Sequence, residues 1–441
     1  MVKETMIQMG FWLAWLVIPA LFELVPAIRA WVQNHFFPAP EPPEQIKGRW
    51  PQVTVIVPVH NSAATLPACL DSIDRSTYPN DLLHVICANN NSSDNSRAVF
   101  QDCQTRQTGL QLQWLETQPG KARALNSAIY TSTGDYVVTL DSDGTLAPAA
   151  IMNLVKNFLA HPEVQAQTGT ILSNRQLVEA APNRHLARNE YLEYAVAFLA
   201  GRTIESQADQ LFTMSGAFSA FRRSALVQTR LYNVDTVGED TDMTFQVRYV
   251  LKGRVILCPN AVFYVEPATG WDELYVQRQR WQRGEIEVVR AFMADHLSLR
   301  ELFSNFLVRR LIVDHTVAFL KVIWLFAILV LIPFGYSPVM LAFSLQAMYA
   351  LYLLITALNL SNVLKYLKFD PAERDYCKHR WPIVFSLPAY NLILSLFRVM
   401  GVINTMLQPA RWNPASMRTE AAAIGRVLRH DWHFKKEKEH D

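Results

Sequence analysis

Glycine is scarce in this 441-residue chain, at 16 residues, and only 18% of positions carry charge. Those shortages exclude a collagen-like repeat and a disordered polyelectrolyte. Cysteine is sparse as well: Cys69, Cys87, Cys103, Cys258 and Cys377 are five in number and form no C-x-x-C pair. An odd count without paired spacing excludes a disulfide framework and a structural zinc site, and it fits a reducing compartment. An excess of one charge is also missing, since 41 lysines and arginines face 39 aspartates and glutamates. Nothing in that balance points to nucleic acid as a partner. What the chain has in plenty is apolar residues, 50% of the total, gathered into long blocks.

Crossing roughly 30 Å of hydrocarbon takes about 20 apolar residues. The blocks Leu311 to Tyr336, Pro338 to Leu360 and Pro382 to Leu407 meet that length. Gly10 to Val32 is a weaker fourth, interrupted by Pro19, Glu23 and Pro26. It reads as a retained anchor and not a signal peptide, because Lys3 is offset by Glu4 and no small-residue cleavage site follows. The chain then divides into an anchor (1–35), a Pro-rich linker (36–52) and a cytosolic α/β domain (53–270). Interfacial helices (271–310), a membrane region of about three spans (311–408) and a basic tail (409–441) complete it. The loop from Lys365 to Arg380 and the tail, with Arg411, Arg418 and Arg426, are both basic, which sends both to the cytoplasm. A single span between them would separate them. Either Pro382 to Leu407 re-enters, or Leu311 to Lys321, with Asp314 and His315, lies along the surface.

From Val53 onward, short β-branched runs alternate with helical stretches. Val53 to Val57 (ended by Pro58), Leu82 to Cys87, Gln111 to Leu115 and Tyr136 to Leu140 read as strands. Ala63 to Ile73, Ser93 to Arg106 and Lys121 to Tyr130 read as helices. The alternation predicts an α/β, doubly wound parallel sheet with right-handed crossovers. Ligands in such sheets lie beyond the carboxyl ends of the strands, where the fourth strand runs into Asp141-Ser142-Asp143.

Two carboxylates one residue apart can converge on Mg²⁺ or Mn²⁺ and leave places for substrate phosphates. The same Asp-Ser-Asp-Gly run also makes a turn through side-chain to backbone bonds. Glu239, Asp240 and Asp242 head an amphipathic helix. The macrodipole alone favours acids there, and one of them can also serve as a general base toward a hydroxyl. Gln277-Arg278-Gln279-Arg280-Trp281-Gln282-Arg283 offers guanidinium groups for a diphosphate and an indole for a sugar face. A helix of that composition equally suits a membrane surface.

Other runs join these: Val57-Pro58-Val59-His60-Asn61, Gly120-Lys121-Ala122-Arg123-Ala124-Leu125-Asn126 and Met214-Ser215-Gly216-Ala217-Phe218. In order and spacing, with Gly238-Glu239-Asp240 and Gln277 to Trp281, they resemble the membrane-integrated family-2 glycosyltransferases. That group includes the cellulose, hyaluronan and poly-N-acetylglucosamine synthases. By general likeness the chain is also similar to a glycosyltransferase subgroup found near exosortase-type sorting genes in Gram-positive bacteria.

The resemblance implies a Rossmann-like GT-A domain flanked by transmembrane helices in a bacterial cytoplasmic membrane, with the catalytic domain cytoplasmic. It implies Mg²⁺ or Mn²⁺ as cofactor. The activity it implies is inverting transfer from a nucleotide sugar, a UDP-hexose or UDP-N-acetylhexosamine, onto a growing β-linked polysaccharide. Asp240 would be the general base with Glu239 beside it. His60, Asn90, Lys121, Asp141, Asp143 and Arg280 would bind the donor, Asp143 and Asp141 through the metal. Ser215, Gly216, Trp281 and Gln277 would meet the acceptor. Asp314, His315, Lys321 and Arg398 would face an exit path through the membrane, with lipids and export or accessory subunits as further partners.

Two positions depart from the family pattern. Asn90 replaces an aspartate that contacts the base or ribose, and it still offers an acceptor and a donor. Gly238 replaces a threonine, and its backbone freedom should loosen that loop. Two other readings compete: single-sugar transfer to a lipid-linked acceptor, and a non-catalytic nucleotide-sugar-binding scaffold subunit. The Gln277 to Trp281 motif speaks against the first. The joint presence of Asp141, Asp143, Asp240, Arg280 and Trp281 speaks against the second.

Overall fold

The computed structural model describes residues 16–37, 49–107, 109–293, 319–327, 330–407, 416–420 and 422. Its strands are β1 (Val53–Val59), β2 (Leu83–Asn89), β3 (Gln111–Glu116), β4 (Tyr136–Leu140), β5 (Gly144–Leu146), β6 (Val164–Ser173), β7 (Phe218–Arg222) and β8 (Arg254–Val265). They form one sheet in the order β3-β2-β1-β4-β7-β6-β8-β5. The helices of the α/β domain are α2 (Leu66–Asp74), α3 (Ser96–Arg106), α4 (Lys121–Thr131), α5 (Ala150–Ala160), α6 (Arg175–Ala180), α7 (Arg184–Tyr194), α8 (Arg202–Gln207), α9 (Arg223–Leu226) and α10 (Glu239–Phe245). Ahead of them stands α1 (Leu16–Phe36). Beyond them come α11 (Trp271–Met293), α12 (Pro338–Tyr366), α13 (Pro371–His379) and α14 (Leu387–Leu407).

All seven residues of β1 are buried, as expected of a strand covered by helices on both faces. β1 lies parallel to β2 and β4, and β2 parallel to β3, so the doubly wound reading holds for this half. β7 then enters antiparallel to both β4 and β6, and β5 antiparallel to β8, which makes the whole sheet mixed. β1 also runs past Pro58, where the sequence reading ends it. Pairing with β4 stops at Ile56, while pairing with β2 continues through Val59. With no β4 partner opposite, the missing Pro58 N–H costs no ladder bond.

Among the described residues, three helices are long and apolar enough to cross a membrane: Leu16–Phe36, Pro338–Phe369 and Leu387–Met406. Of the expected block Leu311 to Tyr336, residues 319–327 are helical, whereas 311–318 and 328–329 lie outside the described residues. Also outside them are Asp314, His315, the linker prolines from Pro38 to Pro43, Arg411 and Arg426. The interruptions in the N-terminal block have a local answer. Between Pro19 and Pro26 the helix widens into a π turn over Ala20–Leu24, which accommodates the proline ring. The Glu23 carboxylate accepts from Lys321 Nζ at 3.0 Å and from the Tyr352 hydroxyl at 2.8 Å.

α14, which separates the basic loop from the tail, has partners outside the apolar helices. This helix runs beside α11: Phe397 lies 6.2 Å from Trp271 and 5.0 Å from Tyr275, ring to ring, and Asn404 donates to Gln279 at 2.8 Å. The chain then doubles back. Arg418 pairs with Asp272 at 3.0 Å, and the Tyr275 hydroxyl donates to Glu420. Residues 418 and 420, after α14, therefore meet the N-terminal end of α11.

Candidate active site

The site forms where β1, β2 and β4 end. Asn61 and Asn91 turn the chain with φ of 51° and 54°, a region that asparagine tolerates better than most residues. The His60 imidazole donates through Nδ1 to the Asn90 carbonyl at 2.8 Å. The Asn90 side-chain oxygen accepts the Gly120 N–H at 2.5 Å. Gly120 has φ of 122°, open to glycine alone, and from it α4 starts with Lys121. Asp94 has a turn role only: its carboxylate accepts from the N–H groups of Ala63 and Ser96 at 2.9 and 3.0 Å.

Lys121 gathers the centre. Its Nζ lies 2.6 Å from Asp141 and 3.9 Å from Glu239, and it reaches the Gly216 carbonyl at 3.5 Å. Burial pulls its pKa down, but Asp141 and Glu239 together raise it above the usual lysine value. Burial lifts Glu239 well above the ordinary carboxylate range, against the pull of Lys121. Asp240 is fixed at both oxygens: the Gly216 N–H donates to Oδ2 at 3.0 Å and the Thr241 N–H to Oδ1 at 2.7 Å. Ser215 holds the same turn through its backbone, whose N–H donates to the Thr168 hydroxyl at 3.0 Å.

Asp143 opens toward the cleft, yet the surrounding protein strips enough solvent to push its carboxyl up to about 6, with Asp141 adding to the rise. Among the described residues, no group of three or more His, Cys, Asp or Glu side chains could hold a metal ion alone. Asp141 and Asp143 nevertheless fit Mg²⁺ or Mn²⁺ where substrate phosphates complete the shell. A cation there would relieve the repulsion that raises Asp143.

α11 closes the site from the other side, and it corrects the expectation for Gly238. A Cβ on Gly238 would stand 2.8 Å from the Gly284 carbonyl oxygen, and one on Gly284 would stand 3.0 Å from the Gly238 Cα. The preceding loop is tied to α11 as well, since the Thr236 hydroxyl donates to Glu287 at 2.8 Å. Gly238 therefore seats α10 on α11 and does not loosen it.

Trp281 is half-buried on α11, 5.8 Å from the Phe198 ring, with the Arg278 guanidinium 4.3 Å over its face. Arg278 is buried and pairs with Glu193 at 2.6 Å. The Gln277 amide oxygen accepts from the Tyr194 hydroxyl at 3.3 Å, which places Gln277 as a support for that wall. Arg280 is half-buried on the same helix, directly before the indole. A cavity of about 300 Å³ lies here, lined among others by Glu193, Phe198, Trp281, Ser395 and Arg398. A second, of about 390 Å³, lies among α1, α12 and α14. Glu193, Ala197, Lys321 and Asn391 line both, so a continuous wall runs from the indole to the apolar helices.

Lys321 lines both cavities and Arg398 the smaller one. Glu193 goes unassigned in the sequence reading, and Arg278, offered there with the other guanidinium groups of its run, is instead buried against Glu193. The signal for Glu193 was Glu190 and Glu193, two acids at i, i+3 in a helical stretch.

Glu190 supplies a pH test of this wall. It is fully buried, accepts the Ala268 N–H at 2.8 Å through Oε2, and has no partner for Oε1 among the described residues. Burial pushes its carboxyl from 4.5 up to about 7, opposed by Arg278. The folded chain then holds a proton that the unfolded chain releases. Stability from this group is fully present below 4.5 and is lost as pH rises toward 7, by on the order of 3 kcal/mol. Glu190→Gln should therefore raise the melting temperature at pH 8 and leave it near wild type at pH 5. An equal shift at both pH values would contradict the assignment.

Comparison with known proteins fits this geometry. Residues 54–229 match the family model described as Glycosyl transferase family 2. The probable glycosyltransferase YdaM of Bacillus subtilis (strain 168) is 26% identical over 255 residues, which are 57% of this chain and 59% of that protein. A poly-beta-1,6-N-acetyl-D-glucosamine synthase of Staphylococcus epidermidis (strain ATCC 35984) is 26% identical over 247 residues, 56% of each chain. The chain therefore spans less than two thirds of the length of these curated relatives. Among solved structures, the mannosyltransferase PcManGT from Pyrobaculum calidifontis, in complex with GDP-Man and Mn²⁺, aligns with a TM-score of 0.58 at 22% identity. The alignment covers 81% of this chain and 98% of that one, a likeness of fold.

Proposed function

We propose that this chain, which carries a glycosyltransferase family 2 domain over residues 54–229, moves a sugar from a nucleotide-sugar donor onto a growing β-linked polysaccharide. The observation that carries the reading is convergence. Lys121, Asp141, Glu239 and Asp240 come from three separate segments and meet at the carboxyl ends of the strands. The cavity walled by Trp281 comes near them at Thr213, whose hydroxyl lies 3.0 Å from that of Thr241, the neighbour of Asp240.

The donor's nucleoside lies near His60 and Asn90. Because Gly120 occupies the Asn90 oxygen, Asn90 offers a base edge its Nδ2 donors. Lys121 and Arg280 provide positive charge for the leaving diphosphate. A Mg²⁺ or Mn²⁺ ion held by Asp141 and Asp143 would add neutralising charge at the same phosphates. Asp240 takes the proton from an acceptor hydroxyl as that oxygen attacks the anomeric carbon. The carbon's bond to the diphosphate oxygen breaks, the electron pair leaves with the nucleoside diphosphate, and attack from the opposite face inverts the centre. Ser215, Gly216, Gln277 and the Trp281 face orient the acceptor.

The two joined cavities give the product a path toward the apolar helices. α1 and α12 lie in a bacterial cytoplasmic membrane, with the catalytic domain, the loop before α13 and the tail on the cytoplasmic side. Export or accessory subunits would act beyond that path.

The test uses purified full-length protein in nanodiscs with Mg²⁺ or Mn²⁺ and radiolabelled UDP-N-acetylglucosamine, UDP-glucose, GDP-mannose and dTDP-glucose, followed by sizing of the product. High-molecular-weight product from one donor is the expected result. The staphylococcal relatives' name supports UDP-N-acetylglucosamine as the donor to try first. A single short, lipid-extractable product would replace polymer synthesis with transfer to a lipid-linked acceptor. Nucleotide binding without turnover of any donor would favour the scaffold reading.

A further inference from the structure

A separate cavity of about 920 Å³ opens between α12, the end of α1 and the turn Trp381–Phe385. Its walls are apolar, formed by Leu353, Leu354 and Ala357 on α12 and by Trp381 and Phe385 on the turn. Leu354, Trp381 and Phe385 are each about half exposed, at 49%, 55% and 52%. Its rim is basic, carrying Lys365, Lys368 and Arg374.

No carboxylate lines this cavity among the described residues. Two of the neighbouring acids are occupied elsewhere, and a third, Asp375 on α13, does not line the cavity. Asp370 caps α13 by accepting the Ala372 and Glu373 N–H groups, both at 3.0 Å, and Glu373 accepts the Tyr191 hydroxyl at 2.5 Å. Two of the cations are braced in place: Arg374 Nε donates to the Leu364 carbonyl at 3.0 Å, and Lys365 donates to the Asn34 carbonyl. Each keeps further N–H donors on the rim. Val363 and Leu367, at this end of α12, pack with Leu172, Ala187 and Tyr191 of the α/β domain. The basic rim therefore lies at the end of α12 nearest the catalytic domain.

We propose that this groove binds an anionic glycerophospholipid. Its phosphate sits among Lys365, Lys368 and Arg374, and an acyl chain lies along Leu353, Leu354 and Ala357. Three cations without a compensating carboxylate select a headgroup of net negative charge over a zwitterionic one. Trp381 at the rim matches the interfacial depth that tryptophan prefers. The inference rests on the membrane placement of α12 given above, and on no step of the transfer chemistry.

Trp381 is its own reporter. Full-length protein is placed in phosphatidylcholine nanodiscs containing either brominated phosphatidylglycerol or brominated phosphatidylcholine. Quenching at Trp381 is taken as the signal lost in Trp381→Phe. Brominated phosphatidylglycerol should reach half-quenching at a mole fraction roughly tenfold lower than brominated phosphatidylcholine. The double substitution Lys368→Gln/Arg374→Gln should abolish that preference while quenching by phosphatidylcholine persists. Equal quenching by both lipids in the wild type, or a preference unchanged in the double variant, overturns the proposal. Absence of Trp381 quenching by either lipid overturns it together with the membrane placement of α12. Turnover measured in the same discs separates the two readings: inactive protein with an intact lipid preference sinks only the transferase.

Discussion

Replacing Asp240 with asparagine is expected to lower kcat roughly 10²–10⁴-fold, with the donor KM little changed. The side chain keeps its size, and the oxygen that remains can still accept from the Gly216 or Thr241 N–H, both now within 3.0 Å. What is lost is a group that can accept the acceptor's proton as the new glycosidic bond forms. Glu239 is a poor replacement. It is buried and its carboxyl is raised by that burial, with Lys121 3.9 Å away. Nucleotide binding, read by calorimetry, should survive in the variant. If Asp240→Asn retained more than a tenth of the wild-type kcat, another group would have to be the base.

The second large effect is steric. Gly284→Ala would place a methyl group 3.0 Å from the Gly238 Cα and 3.1 Å from its nitrogen. Both are backbone atoms, so no side chain can swing aside, and α10 and α11 must separate. Asp240 rides on the first helix and Trp281 on the second, so the base and the indole move apart. The shift required is a few tenths of an ångström. Since about 1 Å can cost about 10²-fold in rate, a loss of roughly three- to tenfold in kcat is the expected outcome. Gly238→Ala, aimed at the Gly284 carbonyl oxygen 2.8 Å away, should do at least as much. Gly270→Ala is the control, since nothing lies within 4 Å of a Cβ there. A Gly284→Ala enzyme as active as the Gly270→Ala control would remove the contact from the mechanism.

The half of the fold built from β1, β2, β3 and β4 was legible because β1, β2 and β4 are β-branched runs and β1, β2 and β3 are each followed by a helical stretch. β7 was not, because Phe218–Arg222 follows a turn and pairs antiparallel with partners far away in sequence. No local period announces that choice. Within the site, Lys121, Asp141, Glu239 and Asp240 were legible because their chemistry is carried by residue type and order. Gly238 was misread for the opposite reason: a glycine looks like freedom until its neighbour is known, and Gly284 lies on a helix 46 positions downstream. Glu193 went unassigned because its meaning depends on Arg278, and only the packing of α7 against α11 brings the two together. The path of α14 was likewise hidden, since length and apolarity describe a span whether or not the helix lies beside a partner.

The Glu23 contacts have a consequence for the order in which the chain is made. Glu23 is synthesised long before its partners, since Lys321 and Tyr352 follow 298 and 329 residues later. A carboxylate alone in hydrocarbon costs about 3 kcal/mol at a helix centre. In the membrane placement proposed above, α1 is an incomplete span until those partners arrive, held by its apolar flanks and carrying one unanswered charge. A helix made early is in that placement finished late, and chains that stop short of Lys321 leave the defect exposed.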